Sequence, residues 1–318
     1  MTKTKGNRRA ALPTGIFGAV LSVGALVLTA LVSVYLSPKT KSLVEAALKM
    51  CGGEVVPAVF PFLILADLYI AVGYPERIPL LPSVFRAVYG IERAGVRALI
   101  SGALSGFPVG VRATAELYRG GLISRESAER LIALSNIPSP AFVTAAVGLG
   151  MFGSAEVGRI LLLSVLFSSP ICALIFRGKG AKEDNVGNIS GQKFDIVESI
   201  RNAGLGTVSI CAFVVSFATV AGIASEYLSG LPIFPFIVSV LEVTGAASYF
   251  AAESAKIGAY AAIFGAAFSL GFGGLSVMLQ SAVFLRGTDI SMKKYIPIKL
   301  TEGLLSGVFA ILFYSVTK

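Results

Sequence analysis

The chain has 318 residues, of which 55% are hydrophobic and only 14% charged, with a mean hydropathy of +0.80. A soluble protein carries nearer a quarter charged residues, so the composition selects an all-α, polytopic membrane protein. The formal net charge of +9 comes from basic residues lying mostly between hydrophobic runs, where the cytoplasm and anionic headgroups hold them, and no nucleic acid is expected as a partner.

The chain has no histidine, which removes His-based metal sites, His proton relays and Ser-His catalysis. Cys51, Cys172 and Cys211 are far apart in apolar surroundings and read as buried thiols, with neither a disulfide nor a metal site. No Walker loop or dinucleotide fingerprint occurs; Gly271-Phe-Gly-Gly274 lacks the later glycine and a strand–helix context. The expectation is a protein that is not an enzyme and holds no resident cofactor, with H+ or Na+ as a coupling ion.

In chain order, Lys3, Lys5, Arg8 and Arg9 precede an uncharged run over 10–38. That run is too long for a signal-peptide core and lacks a cleavage site, so it predicts a first transmembrane helix with its N-terminus inside. Residues 42–50 place Leu43, Ala46, Ala47 and Met50 on one side and Glu45 and Lys49 on another, an interfacial amphipathic helix. The next span, 55–75, contains Pro57, Pro61 and Asp67. Asp67 is either a buried coupling carboxylate or a group reaching the interface. Residues 79–97, with Arg86, Glu92, Arg93 and Arg97, read as a surface linker helix.

The stretch Ser101-Gly-Ala-Leu-Ser-Gly-Phe-Pro-Val-Gly-Val-Arg112 is the centre of the reading. Fourteen residues (98–111) separate Arg97 from Arg112, whereas a crossing helix needs roughly 20. Gly102, Gly106, Pro108 and Gly110 loosen the helical ladder, and open backbone at membrane depth persists only under protein cover or beside a wet cavity. This predicts a re-entrant hairpin with its tip at a solute site. The competing reading takes Gly102/Gly106 and Gly106/Gly110 as small-residue pairs for tight helix packing.

Ser124 caps the following helix, with Glu126 in its first turn. That helix meets Ser135-Asn-Ile-Pro-Ser-Pro140, where two prolines break it before it resumes at 142–152, leaving Asn136 and Ser139 beside released backbone. A further span covers 160–176, followed by a polar, glycine-rich linker. The pattern then restarts: Val197-Glu198-Ser199 echoes Val44-Glu45-Ala46 and leads into a span over 202–225. The run 231–252 holds Glu242-Val-Thr-Gly245 at its centre, where a lone carboxylate is either functional or helix-packing glue. Residues 257–285 are uncharged and interrupted by Gly271-Phe-Gly-Gly-Leu-Ser276, which is one long tilted helix or two half-helices meeting at a glycine tip. Arg286-Gly-Thr-Asp-Ile-Ser291 then parallels Arg119-Gly-Gly-Leu-Ile-Ser124, and a last span runs over 300–316.

The predicted organisation is an N-terminal transmembrane helix (1–41), a first gate repeat (42–177), a linker (178–193) and a second gate repeat (194–318), with eight or nine hydrophobic segments. Paired discontinuous segments in two halves point to an inverted structural repeat with broken helices, the architecture of secondary transporters.

At Ser-Gly-Phe-Pro-Val-Gly, Ser-Asn-Ile-Pro-Ser-Pro, Leu-Glu-Val-Thr-Gly and Gly-Phe-Gly-Gly-Leu-Ser, the chain resembles the sporulation integral membrane proteins of the nucleoside-recognition (Gate) domain family. The resemblance runs from about Leu43 to the end of the sequence, and more distant relatives include concentrative nucleoside transporters and ferrous-iron transporter gates. It implies a transporter moving dipicolinic acid into the forespore across a surrounding membrane. Met278 stands where many members carry histidine, and Pro138 replaces a small hydroxyl residue; these departures bear on the substrate more than on the fold. With dipicolinate as the small anionic solute, the expected site comprises Ser105, Gly106, Phe107, Pro108, Gly110, Arg112, Asn136, Ser139, Glu242, Thr244, Gly273, Gly274, Ser276 and Gln280. Half-helix N-termini and glycine amides would bind carboxylates, Arg112 would pair with one carboxylate or anchor at the interface, and Phe107 or Phe272 would stack on the ring. Other partners are the lipid bilayer and, left open, a second copy of the chain. Cation-coupled nucleoside transport and a non-transporting spore-envelope scaffold are the competing functions.

Overall fold

The computed structural model describes residues 37–72, 80–178 and 195–317. The expected first transmembrane helix over 10–36 and the linker from 179 onward lie outside the described residues. Helix α1 (Ser37–Met50) passes through a π-helical turn (Cys51–Val55) into α2 (Val56–Val72). Both pack along α9 (Ile196–Leu228), the longest helix described, and Lys39 of α1 pairs with Glu226 near its far end. Helix α3 (Leu81–Tyr89) is a short amphipathic piece leading to the first helical hairpin.

That element is the hairpin predicted from sequence. Helices α4 (Gly95–Ser105) and α5 (Val109–Arg119) fold back on each other through Gly106, whose φ of 81° lies in the region that favours glycine. Gly102 and Gly110 meet across the hairpin: a Cβ at Gly102 would lie 3.3 Å from Gly110 Cα and overlap the Ser135 carbonyl oxygen, which a Cβ at Gly110 would also strike. The glycines therefore make the hairpin and also make it thin enough to lie against a neighbouring chain break, so both sequence readings of this stretch hold together. One premise changes. Arg97 is inside α4 and only 3% exposed, so the hairpin begins earlier than Ser101 and its first arm carries a charge held within the protein.

The next unit is a broken helix. Ser124 Oγ accepts the Ser127 amide at 3.2 Å and starts α6 (Arg125–Leu134); after 135–140 the chain rewinds as α7 (Phe142–Met151), a π-helix. Both pieces run antiparallel to α8 (Ala155–Ile175): the Ser169 hydroxyl reaches the Leu134 carbonyl at 3.5 Å, while Gly148 lies against Gly158. The direction is kept across the break.

In the second half, α10 (Phe234–Leu241) and α11 (Val243–Ala252) fold back at Glu242. The rings of Phe234 and Tyr249 meet edge to face at 5.2 Å, and Val238 packs with Ala246, as antiparallel arms require. After the short α12 (Ser254–Ile257) come α13 (Ala259–Phe272), α14 (Gly274–Phe284), a 3-10 turn (Met292–Lys294) and α15 (Tyr295–Val316). Along α15, Tyr314 meets Tyr260, Gly303 meets Phe268, and Tyr295 shares the Asn136 amide with Ser281. Helix α14 thus continues the direction of α13, with Gly273 (φ 83°) and Gly274 (φ 77°) at the joint.

Two expectations are corrected. The second hairpin is not at 271–276, where the helix breaks without reversing; it lies at Glu242, in what the hydropathy alone presented as one span. The parallel between 119–124 and 286–291 does not mark equivalent places of a repeat. Arg119 Nη2 donates to the carbonyls of Phe284 (2.7 Å) and Arg286 (3.0 Å), so these two loops touch at one end, whereas inversion would put them on opposite faces. Their likeness is local chemistry: each has a glycine at positive φ (Gly121, Gly287) and a serine whose hydroxyl accepts a backbone amide at the start of the next helix. Among the described residues four helices are long and apolar enough to cross a membrane (Ala155–Ile175, Ile196–Leu228, Ala259–Phe284, Met292–Val316). The hairpin arms and the α6–α7 pieces are too short to count singly.

Helices α8 and α15 form the centre, bridged by Ser168 and Ser306 hydroxyls at 2.8 Å and by the Cys172 thiol donating to the Ile298 carbonyl at 3.3 Å. Substitution at the crowded glycines follows from this packing. Gly110→Val is expected to destabilise by about 2 kcal/mol or more through overlap with Ser135, while Gly204→Ala, in open space on α9, is neutral or stabilising by about 0.5 kcal/mol. Thermal unfolding of the purified variants checks the contrast; similar effects at both positions would contradict the packing described.

Candidate functional site

Four interruptions of helical backbone converge: the α4–α5 tip, the α6–α7 break, the α10–α11 tip and the first turns of α14. They enclose a cavity of about 60 Å³ lined by Ser105, Gly106, Phe107, Ser139, Phe142, Glu242, Val243, Thr244, Val277 and Gln280, with Val55, Val59, Ile210 and Val214 from the π-turn, α2 and α9 closing one side. Interlocking backbone sets the closeness. A Cβ at Gly106 would lie 2.8 Å from the Ser139 side chain, and one at Gly274 would come within 3.2 Å of the Val240 carbonyl and 3.3 Å of the Glu242 amide.

Of the residues expected from sequence, Ser105, Gly106, Phe107, Ser139, Glu242, Thr244 and Gln280 reach the cavity. Pro108 stands behind the tip as the residue preceding α5. Gly273 and Gly274 form the α13–α14 joint beside the Glu242 tip, and Ser276 accepts a hydrogen bond from Gln280 Nε2 at 3.1 Å. Gly110 packs on Ser135. Asn136 faces away: its amide donates to Ser281 Oγ at 2.8 Å and Tyr295 Oη at 2.6 Å. Phe272 stacks on Phe268 and does not line the cavity; Phe107 does, together with the ring of Phe142.

Arg112 is not among the residues lining the cavity. Its guanidinium pairs with Asp67 at 2.8 Å and with Glu116 at 3.0 Å, and Asp67 accepts the Ser199 hydroxyl at 2.8 Å. Helices α2, α5 and α9 are thereby tied together. Asp67 is thus held by Arg112 and Ser199, and the Arg112 guanidinium is engaged by two carboxylates of the protein.

The helix ends at the cavity are closed by local groups. The Gly245 amide donates to Glu242 Oε2 at 2.6 Å, the Phe142 amide to Ser139 Oγ at 3.2 Å, and the Val109 amide to the Gly106 carbonyl at 3.0 Å. Amides expected to receive a solute carboxylate are partly engaged already. Among the described residues Glu242 is the sole charged one lining the cavity; it is 1% exposed and caps its own helix. A carboxylate in that place, with no cationic residue on the cavity wall, suits a bound proton, a cation or a polar uncharged group.

Sequence reasoning missed the apolar wall from α2 and α9, for which a uniformly apolar helix offers no signal. It also missed the buried pair Lys299 and Glu302, which flank the start of the span expected over 300–316. Their spacing of three within an apolar helix was the available clue, since that spacing brings the two side chains together.

The capping role of Glu242 sets an expected outcome. Glu242→Gln retains an acceptor for the Gly245 amide, whereas Glu242→Ala loses it and is expected to be less stable than the glutamine variant by about 1 kcal/mol. Unfolding of the two purified variants under one condition measures this, and an alanine variant as stable as the glutamine variant would contradict the cap.

Compared with known proteins, the chain is similar to the sporulation integral membrane protein YlbJ of Bacillus subtilis (strain 168), with 25% identity over 313 aligned residues that cover 85% of this chain and 76% of that protein. No family model matches the chain, and no solved structure matches it. With its apolar membrane-length helices and this likeness to an integral membrane protein, the chain is a multi-pass integral membrane protein.

Proposed function

We propose that the chain is a secondary transporter in which the two re-entrant hairpins gate a small solute held at the meeting of the four chain breaks. The observation that carries this reading is the convergence of α4–α5, α6–α7, α10–α11 and α13–α14 on one cavity containing a single buried carboxylate. Interrupted helices from both halves meeting at a site are the recurring plan of alternating-access carriers. The order of hairpin, broken helix and long helix occurs twice, and α8 and α15 run antiparallel, which supports an inverted repeat. No catalytic chemistry is assigned.

The proposed solute is dipicolinic acid, carried across a forespore-surrounding membrane, on the strength of the sequence resemblance and the likeness to a sporulation membrane protein. At about 60 Å³ the cavity holds a few water molecules, so an aromatic dicarboxylate requires the hairpins to part. Its charge must also be compensated, because the cavity wall supplies no arginine or lysine and already holds Glu242. Protons are the proposed compensation: the acid enters with Glu242 protonated, which makes uptake faster from the acidic side. A second reading, cation-coupled nucleoside transport, is favoured by the same cation-free wall of hydroxyls, one amide and one carboxylate.

Dipicolinate flux into proteoliposomes tests the proposal. The wild type is expected to exceed protein-free vesicles, with faster uptake from the acidic side, and Glu242→Gln is expected to lose on the order of tenfold in rate, equivalent to about 1.4 kcal/mol in the barrier. Wild-type flux equal to leakage in protein-free vesicles would overturn dipicolinate transport. Uptake of uridine or adenosine in its place would establish the second reading, and inertness to all of these solutes would favour a scaffold.

A further inference from the structure

A buried polar cluster outside the cavity is centred on Lys299. Its side chain and that of Glu302 are both fully buried, and Lys299 Nζ lies 2.7 Å from Glu302 Oε2. The ammonium also donates to the main-chain carbonyl of Asn136 at 2.8 Å. That carbonyl is free for a physical reason. In a continuous helix it would receive the amide of residue 140, and Pro140 has none. Two further oxygens of the same residues, Asn136 Oδ1 and Glu302 Oε1, are buried without a hydrogen-bond partner.

A carboxylate, a released main-chain carbonyl and a side-chain carbonyl form the all-oxygen set that hard cations take. In broken-helix carriers, carbonyls of the unwound segment serve as such ligands. Here a covalently attached ammonium is hydrogen-bonded to two of them, the Glu302 carboxylate and the Asn136 main-chain carbonyl, while the side-chain carbonyl of the same Asn136 is left without a donor. We infer that Lys299 is a tethered substitute for a monovalent metal cation at the α6–α7 break, so that this position needs no sodium in the wild-type protein and becomes a sodium or lithium site when the side chain is shortened. The fixed charge holds the break in shape by joining α15 to the strand of chain between α6 and α7. It also leaves the carboxylate in the cavity as the group available for ion coupling. The inference stands independently of the solute and of transport itself, because binding alone reads it out.

The test is thermal unfolding of the full chain in detergent or nanodiscs, with sodium, lithium or choline chloride at constant ionic strength. The wild type is expected to show no saturable difference between sodium and choline that depends on Glu302. Lys299→Ala is expected to unfold at lower temperature in choline and to gain roughly 4 °C at a hundredfold excess of sodium over its Kd, a gain absent from Lys299→Ala/Glu302→Gln. Recovery of folded Lys299→Ala from sodium but not from choline would support the same conclusion. An alanine variant indifferent to the cation, or one that fails to fold in either salt, would overturn it. So would a saturable sodium effect on the wild type that Glu302→Gln abolishes.

Discussion

Hydrocarbon offers no hydrogen bonds, so every main-chain amide and carbonyl released from a helix within the membrane needs a partner supplied by the protein. The interior of this chain is arranged around that demand. Pro138 and Pro140 each remove an amide from the α6–α7 path, leaving the carbonyls of Leu134 and Asn136 without their helical donors. Ser169 on α8 reaches the first and Lys299 on α15 the second. The Ser135 carbonyl in the same break is where the α4–α5 hairpin comes closest, and only residues without a Cβ fit there, at Gly102 and Gly110. The shape of the hairpin and the shape of the break are therefore one problem with one solution.

Buried charge is handled in two ways, and the difference separates structure from site. Lys299 pairs with Glu302 within α15 and donates across to the Asn136 carbonyl, while Arg112 pairs with Asp67 between α5 and α2. Removing one member would leave its partner desolvated and uncompensated, which makes such pairs fasteners of a particular packing more than sources of stability. Glu242 differs: its carboxylate meets a backbone amide and an open cavity, with no cationic residue on the wall. An unpaired acid at such depth persists where something else comes to meet it.

Much of the candidate site was legible because breakers and polar groups stand out against an apolar background. Gly106 with Pro108, Pro138 with Pro140, Glu242 and Gly273 with Gly274 were each conspicuous, and all four places meet in space. Their geometry was not legible. A proline or glycine shows that a helix stops, but whether the chain reverses or continues depends on what packs beside it. At Gly106 and Glu242 the two arms find each other; at 135–140 and Gly273 the pieces find α8 and α15 instead. Arg112 illustrates the same limit, since its pairing with Asp67 rests on α2 and α5 being neighbours, which nothing local to either residue announces.

By itself the sequence determined that this is an α-helical membrane protein, where its helices are interrupted, and that one carboxylate sits amid an apolar run, because hydropathy and backbone propensity are properties of neighbouring residues. Only the tertiary structure decided which interruptions are hairpins, that Lys299 is an interior residue, and that Arg112 stands off the cavity. Those outcomes depend on contacts between helices more than a hundred residues apart in several cases, as between Asn136 and Lys299 or Asp67 and Ser199.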